Sequence, residues 1–214
     1  MCRLHSRKER RNHMIAVVDY DAGNIKSVEK ALAYLGSETV TTRDPARLCA
    51  ADKVIVPGVG AFGDAMEKLS GYGLVDVLRG IAASGTPIFG ICLGLQLFFD
   101  SSEEAEGVSG LSLLPGRIVR IPNREGYKIP HMGWNSISVN KSSRLFRGIE
   151  DGSYVYFVHS YYLQAAREED VSATTSYVVD IHAAAERGNV FATQFHPEKS
   201  GEVGLHILQN FIEL

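Results

Sequence analysis

The residues of this chain that could do covalent chemistry stand in two short segments. Cys92 lies in "TPIFGICLGLQLFFD", with Gly90 and Gly94 two positions to either side. An apolar strand that runs into G-x-C-x-G and continues at helical spacing has the form of a nucleophile elbow, with cysteine in place of serine. Such a turn forces the nucleophile into a strained backbone conformation, so the flanking residues must be small. The thiol would stand at the carboxyl end of a central strand, where ligands bind in open α/β sheets. A helix N-terminus beneath it favours the thiolate, and the Leu93 amide would point at a developing oxyanion. Packing accounts for the same five residues equally well, because free cysteine often behaves as a small buried hydrophobe.

A cysteine nucleophile needs a base, and His196 in "FATQFHPEKS" is the histidine best placed to be one. It ends a predicted strand, and Pro197 biases it towards extended backbone. Glu198 follows two residues later, on the same side of an extended chain. A base with a carboxylate to hold its tautomer has this form. Taken alone, the tripeptide also fits a turn with a surface ion pair, or a metal ligand for which no further ligand set is apparent. The other histidines rank lower. His5 and His13 lie in the N-terminal segment, His206 lies on a C-terminal helix, and His182 in "DIHAAAE" reads as a surface turn, while His131 and His159 stay open. Cys49 reads as packing, and Cys2 sits in the N-terminal segment. A glycine loop, "VIVPGVGAFGD", could supply a second oxyanion amide or admit close backbone approach. It lacks the Gly-Lys-Ser/Thr ending of a phosphate loop.

These segments need a scaffold, and the hydrophobic pattern supplies one. Residues 14–19, 37–41, 53–56 and 87–91 read as short buried strands. Between them, residues 25–35 place Val28, Ala31 and Leu32 on one helical face, and 61–84 read as helix broken at "SGYG". This alternation predicts parallel strands with crossover helices. Beyond residue 99 the pattern changes. "GRIVRI", "WNSISV", "YVYFVHSYYL", "VSATTSYVV" and "VFATQF" follow one another without long helical stretches, and "DSSEEAEG" reads as a solvated acidic loop. The expected fold is α/β, a three-layer sandwich around a mostly parallel central sheet, with an antiparallel β region in the second half appended to the same sheet. Residues 201–213 close it as an amphipathic helix.

Composition narrows the function classes. The chain has 214 residues, 45% of them hydrophobic, with 22 Lys and Arg against 25 Asp and Glu. A formal charge of −3 gives no basic field for nucleic acid. Three cysteines make no disulfide framework, so the reducing cytoplasm is the expected compartment. No apolar run approaches the roughly 18 residues of a membrane helix. Residues 1–13, "MCRLHSRKERRNH", carry five Lys and Arg against one Glu and read as a disordered extension. Subtracting them leaves 17 basic against 24 acidic residues, a distinctly acidic domain over 14–214.

"GICLGLQLF", "PGVGAFGDAM", "HMGWN", "FVHSY" and "QFHPEKS" together resemble, in order and spacing, the glutamine amidotransferase subunits of imidazole glycerol phosphate synthase, over residues 14–214. The elbow and His-Pro-Glu are shared by class I glutamine amidotransferases at large; "HMGWN" and the glycine loop are more discriminating. The resemblance implies that Cys92 attacks the side-chain amide of glutamine, that His196 serves as acid and base, and that Glu198 orients it. It implies an oxyanion hole from the amides of Val59 and Leu93, and contacts to glutamine from Gly58, Gly60, Gln96, Ser160 and Tyr161. Asn24, Trp134 and Lys199 would lie near the interface with a (β/α)₈ cyclase subunit that receives the ammonia as the other half of a heterodimer. No cofactor and no metal are called for. The alternatives are a class I amidotransferase serving another synthase and a cysteine hydrolase acting alone.

Overall fold

The computed structural model describes residues 14–214; the expectations for Cys2, His5, His13 and the 1–13 extension lie outside the described residues. The chain begins with β1 (Ile15–Val18), α1 (Ile25–Tyr34), β2 (Thr39–Thr42), α2 (Pro45–Ala50), β3 (Lys53–Val56), α3 (Phe62–Gly71), α4 (Leu74–Ala83), β4 (Ile88–Ile91) and α5 (Leu93–Leu97). There follow β5 (Ser101–Ser102), β6 (Gly116–Arg120), β7 (His131–Ser136), β8 (Ser138–Val139), β9 (Tyr154–His159) and β10 (Tyr161–Ala165). The last elements are β11 (Val171–Tyr177), β12 (Val179–Arg187), β13 (Val190–Thr193) and α6 (Gly201–Ile212).

Among the described residues the strands form one eleven-stranded sheet, with the path β2-β1-β3-β4-β13-β12-β10-β6-β5, and a separate β7–β9 ribbon. β2, β1, β3, β4 and β13 run parallel, and β12 reverses the direction beside β13. Alternation along β1 divides the core. Ala16 and Val18 face one cluster with Phe62, Leu74 and Leu95, while Ile15 and Val17 face another with Val28, Leu208 and Phe211. Helices α2 to α5 therefore cover one face of the sheet and α1 and α6 the other, which makes the expected three layers. No helix among the described residues is long and apolar enough to cross a membrane.

Several local expectations need correction. The α2 helix was not legible as periodicity because it is only six residues long. Its signal is chemical: the Asp44 carboxylate accepts from the Ala46 amide at 2.9 Å, with Pro45 in the first turn. Cys49 is exposed on α2 and does not pack. His182 lies inside β12, where its Nδ1 accepts from the Ala165 amide at 3.1 Å, not at a surface turn. "YVYFVHSYYL" is two strands, because β9 leaves the main sheet to pair with β7 while β10 joins β6. The antiparallel region is thus not all appended to one sheet. The acidic loop is not simply solvated: β5 pairs with β6, Glu104 accepts from the Phe62 amide at 2.7 Å, and Glu103 accepts from the Arg120 amide at 2.8 Å.

Candidate active site

β4 delivers Cys92 to the carboxyl end of the parallel strands, and α5 starts at the next residue. Cys92 has φ 55° and ψ −104°, a conformation that L-residues avoid and that a sharp strand-to-helix turn imposes. Two bonds hold the turn. The Cys92 amide donates to the Thr193 carbonyl at 2.8 Å, and the Cys92 carbonyl accepts from the Gln96 amide at 3.3 Å. Glycine is required at 94 because a Cβ there would lie 1.8 Å from the Val56 carbonyl oxygen. The strain and the flanking glycines are as the sequence predicts.

β13 ends beside β4 and carries the chain to His196, whose side chain is fully buried with that of Glu198. His196 Nδ1 pairs with Glu198 Oε1 at 2.8 Å. His196 Nε2 makes no close hydrogen bond. Cys92 is nevertheless near enough to act electrostatically on the ring. Burial alone would favour neutral imidazole; Cys92 and Glu198 outweigh it and hold His196 above the ordinary histidine range. A protonated imidazole beside a sulfur nucleophile, steered by a carboxylate, is the ground state that acyl transfer by cysteine requires. Catalytic contacts of this kind are commonly loose before substrate binds.

The expected oxyanion donors do not converge in this conformation. The Leu93 amide donates to the Gly58 carbonyl at 3.3 Å. Because the peptide is planar and trans, the Val59 amide of that same unit points away from Leu93. The physical reason is that an orphan donor at a helix start takes the nearest acceptor. The loop has room to change: Gly60 has φ +118° and a Cβ there would meet nothing within 4 Å. Beneath it the buried Tyr20 hydroxyl donates to the Pro57 carbonyl at 2.7 Å.

Cys92 opens onto a cleft of about 340 Å³ whose walls include Val59, Gly60, Leu93, Gln96, Ser160 and Tyr161. This volume lies at the small end of the usual range for ligand sites and suits an amino acid. The same walls contain Glu104, Pro130, Val158 and His159, which sequence reasoning did not place there. Gln194 is another unforeseen member: it is fully buried, and its amide nitrogen stands 3.7 Å from the Cys92 sulfur. Its position two residues before His196, in the segment that follows β13, was the available signal. His131 and His159 are buried against each other, Nδ1 to Nε2 at 3.0 Å. Burial holds His131 down at about 4 and His159 at about 3, so both are neutral at physiological pH.

Of the expected interface residues, Trp134 and Lys199 are exposed and Asn24 is half-buried. Asn24 does more than border a surface, because its side-chain amide donates to Glu198 Oε1 and lies 3.5 Å from His196 Nδ1. Trp134 belongs to the outer face of the β7–β9 ribbon, where Met132 (62% exposed), Trp134 (55%) and Tyr154 (60%) stand together. Lone exposed apolar residues are ordinary, but a contiguous patch of large ones marks an interaction face.

Comparison with known proteins agrees with this geometry. The family model described as glutamine amidotransferase class-I matches residues 16–214. The chain is 52% identical to "Imidazole glycerol phosphate synthase subunit HisH" of Moorella thermoacetica, covering 94% of each chain. It is 50% identical to the protein of the same name from Methanothermobacter thermautotrophicus, over 94% of this chain and 98% of the relative. Among solved structures, PurLQS from Thermotoga maritima superposes with a TM-score of 0.71 at 23% identity, over 94% of this chain and 98% of that one, a likeness of fold.

Proposed function

The chain belongs to the class I glutamine amidotransferases, and from that membership we propose that it is the glutaminase subunit of an imidazole glycerol phosphate synthase, acting in histidine biosynthesis. The observation that carries the reading is the strained Cys92 elbow set beside the buried His196–Glu198 pair over an amino-acid-sized cleft. In this reading the Cys92 sulfur attacks the side-chain carboxamide carbon of glutamine. His196 gives its proton to the departing ammonia, leaving a γ-glutamyl thioester. The neutral imidazole then takes a proton from water as it attacks, and glutamate leaves with the thiolate restored. Glu198 keeps His196 in one orientation through both steps, and Gly58, Gly60, Gln96, Ser160 and Tyr161 hold the glutamine.

Ammonia released into water at neutral pH is protonated and loses its nucleophilicity, so a synthase needs a sheltered path to the acceptor. A cyclase subunit with a (β/α)₈ barrel, bound as a heterodimer against Trp134 and Lys199, provides it. The Gly58 carbonyl that occupies the Leu93 amide marks a resting state; docking of the cyclase turns the Gly58–Val59 peptide so that Val59 and Leu93 both face the oxyanion. The thiol nucleophile suits a reducing compartment, the cytoplasm. The test is reconstitution with the cyclase subunit. Cys92→Ala should lower glutamine-driven ring synthesis by about a thousandfold or more while ammonia-driven synthesis continues. Glutamine-driven synthesis at the parental rate would overturn the assignment, and failure to form a complex with the cyclase would redirect it to another synthase.

A further inference from the structure

The motif "HMGWN" divides between two faces of β7. Met132 and Trp134 point outward, whereas His131 and Asn135 point inward with no role in the chemistry described so far. Their bonds lead somewhere specific. Asn135 Nδ2 lies 3.3 Å from His131 Nε2, His131 Nδ1 lies 3.0 Å from His159 Nε2, and His159 Nδ1 lies 2.9 Å from the Tyr161 carbonyl. That carbonyl also accepts from Gln96 Nε2 at 3.2 Å. Gln96 Nε2 donates again to Gln194 Oε1 at 3.2 Å, and Gln194 Nε2 faces the Cys92 sulfur at 3.7 Å.

Every proton in this chain can be assigned by elimination. A carbonyl only accepts, so His159 must carry its proton on Nδ1, and its Nε2 is then an acceptor in the neutral ring. His131 must therefore donate from Nδ1 and accept at Nε2 from Asn135. The Asn135 amide cannot be reversed, because its Nδ2 also donates to the Ser176 carbonyl at 3.1 Å and its Oδ1 accepts from the Ser136 amide at 2.9 Å. Both rings thus hold the Nδ1–H form. Stacking fixes the His131 plane as well, with Tyr177 at 4.0 Å on one ring contact and Phe157 at 4.7 Å on another.

We propose that Asn135, His131 and His159 are positioning residues that lock the Tyr161 carbonyl, and through it Gln96 and Gln194, so that the glutamine cleft is held in register with Cys92. The inference rests on the glutaminase reading for its functional consequence, but the tautomers stand independently of it. Both Gln96 amide hydrogens are committed within the chain, so what Gln96 offers a ligand is its carbonyl oxygen, an acceptor for an N–H of the substrate. The chain also begins on the strand whose outer face carries Trp134, so the ribbon and the cleft share one rigid set of bonds.

Two measurements test this. In the full chain labelled with ¹⁵N-histidine, long-range ¹H–¹⁵N spectra should show His131 and His159 as Nδ1–H rings that do not titrate between about pH 5.5 and 8. The Nε2–H form at either residue, or titration in that range, would overturn the proton assignment. In the complex with the cyclase subunit, His131→Phe keeps the stacking and removes both hydrogen bonds. It should raise KM for glutamine roughly three- to tenfold, with a smaller change in kcat and ammonia-driven synthesis unchanged. An unchanged KM would overturn the positioning role, and if that variant does not fold, Asn135→Ala at the half-exposed start of the chain gives the same KM readout. Absence of glutaminase activity in the parent complex would refute the functional reading and leave the spectra to judge the tautomers.

Discussion

Cys92 tolerates its backbone strain because its neighbours give way to it. The close approach of α5 to β3 leaves no space at Gly94, where a Cβ would meet the Val56 carbonyl oxygen at 1.8 Å. Backbone cannot move aside as a flexible side chain can. Gly94→Ala should therefore destabilise the fold by about 3 kcal/mol or more, a fall in Tm of roughly 6–12 °C for a chain of this size. Gly71→Ala is the control, since a Cβ there meets nothing within 4 Å; its Tm should stay at the parental value. Equal melting of the two variants would contradict the account of the elbow. The elbow and His-Pro-Glu were legible in the sequence because each is a contiguous motif with its own backbone geometry. The contacts of Asn24 with Glu198 and of Gln194 with Cys92 were not, since they join residues 174 and 102 positions apart. Nothing local marks an asparagine that points across a sheet end; here the side chain leaves the start of α1 uncapped and serves Glu198 instead.

At the scale of elements, the β7–β9 ribbon shows how a strand pattern can mislead. Its residues alternate as a half-buried ribbon should, yet the inner face carries His131 and His159 and the outer face Met132, Trp134 and Tyr154. Polarity is inverted at these positions: the inner histidines satisfy one another, and the outer apolar side chains are exposed. That is why the sequence indicated strands here but not which sheet they join. The buried histidines have a thermodynamic consequence. Their pKa values are lowered by burial, to about 4 for His131 and about 3 for His159, and burial lowers His182 as well. In the unfolded chain these rings protonate below about pH 6.5, whereas the folded state resists. The contribution of these three histidines to stability should thus be fully present above about pH 6.5 and decline as pH falls towards 5, above the range in which carboxylates titrate. His196 has the opposite sign: its raised pKa contributes stability below about pH 6.5 that is lost as pH rises through the raised value. Tm measured across this range should fall on the acid side, and less steeply in His131→Phe. A flat acid limb would contradict neutral burial of the pair.

For the whole molecule, the layers read in the sequence became the layers of the fold, because the buried strands at the start of the chain carry an unambiguous pattern. What the sequence left out is the state of the site. His196 and Glu198 are paired, Cys92 opens onto a formed cleft, and the Leu93 amide is spent on the Gly58 carbonyl. On the proposed reading, such a molecule has its nucleophile and base in place and gains its oxyanion stabilisation when the Gly58–Val59 peptide turns. The exposed ribbon carries Met132, Trp134 and Tyr154, and on the proposed reading it is where the cyclase acts on the site. Removing one oxyanion donor costs about 10²- to 10³-fold in rate in acyl transfer, which is the size of activation that the proposed turn of the peptide predicts.

The most direct test is the rate of glutamine hydrolysis by this chain alone, with the cyclase subunit added, and with the cyclase and its nucleotide substrate together. The account predicts slow hydrolysis by the chain alone and a rise of about a hundredfold or more in the occupied complex. Fast hydrolysis by the isolated chain, unchanged by the cyclase and its substrate, would contradict it.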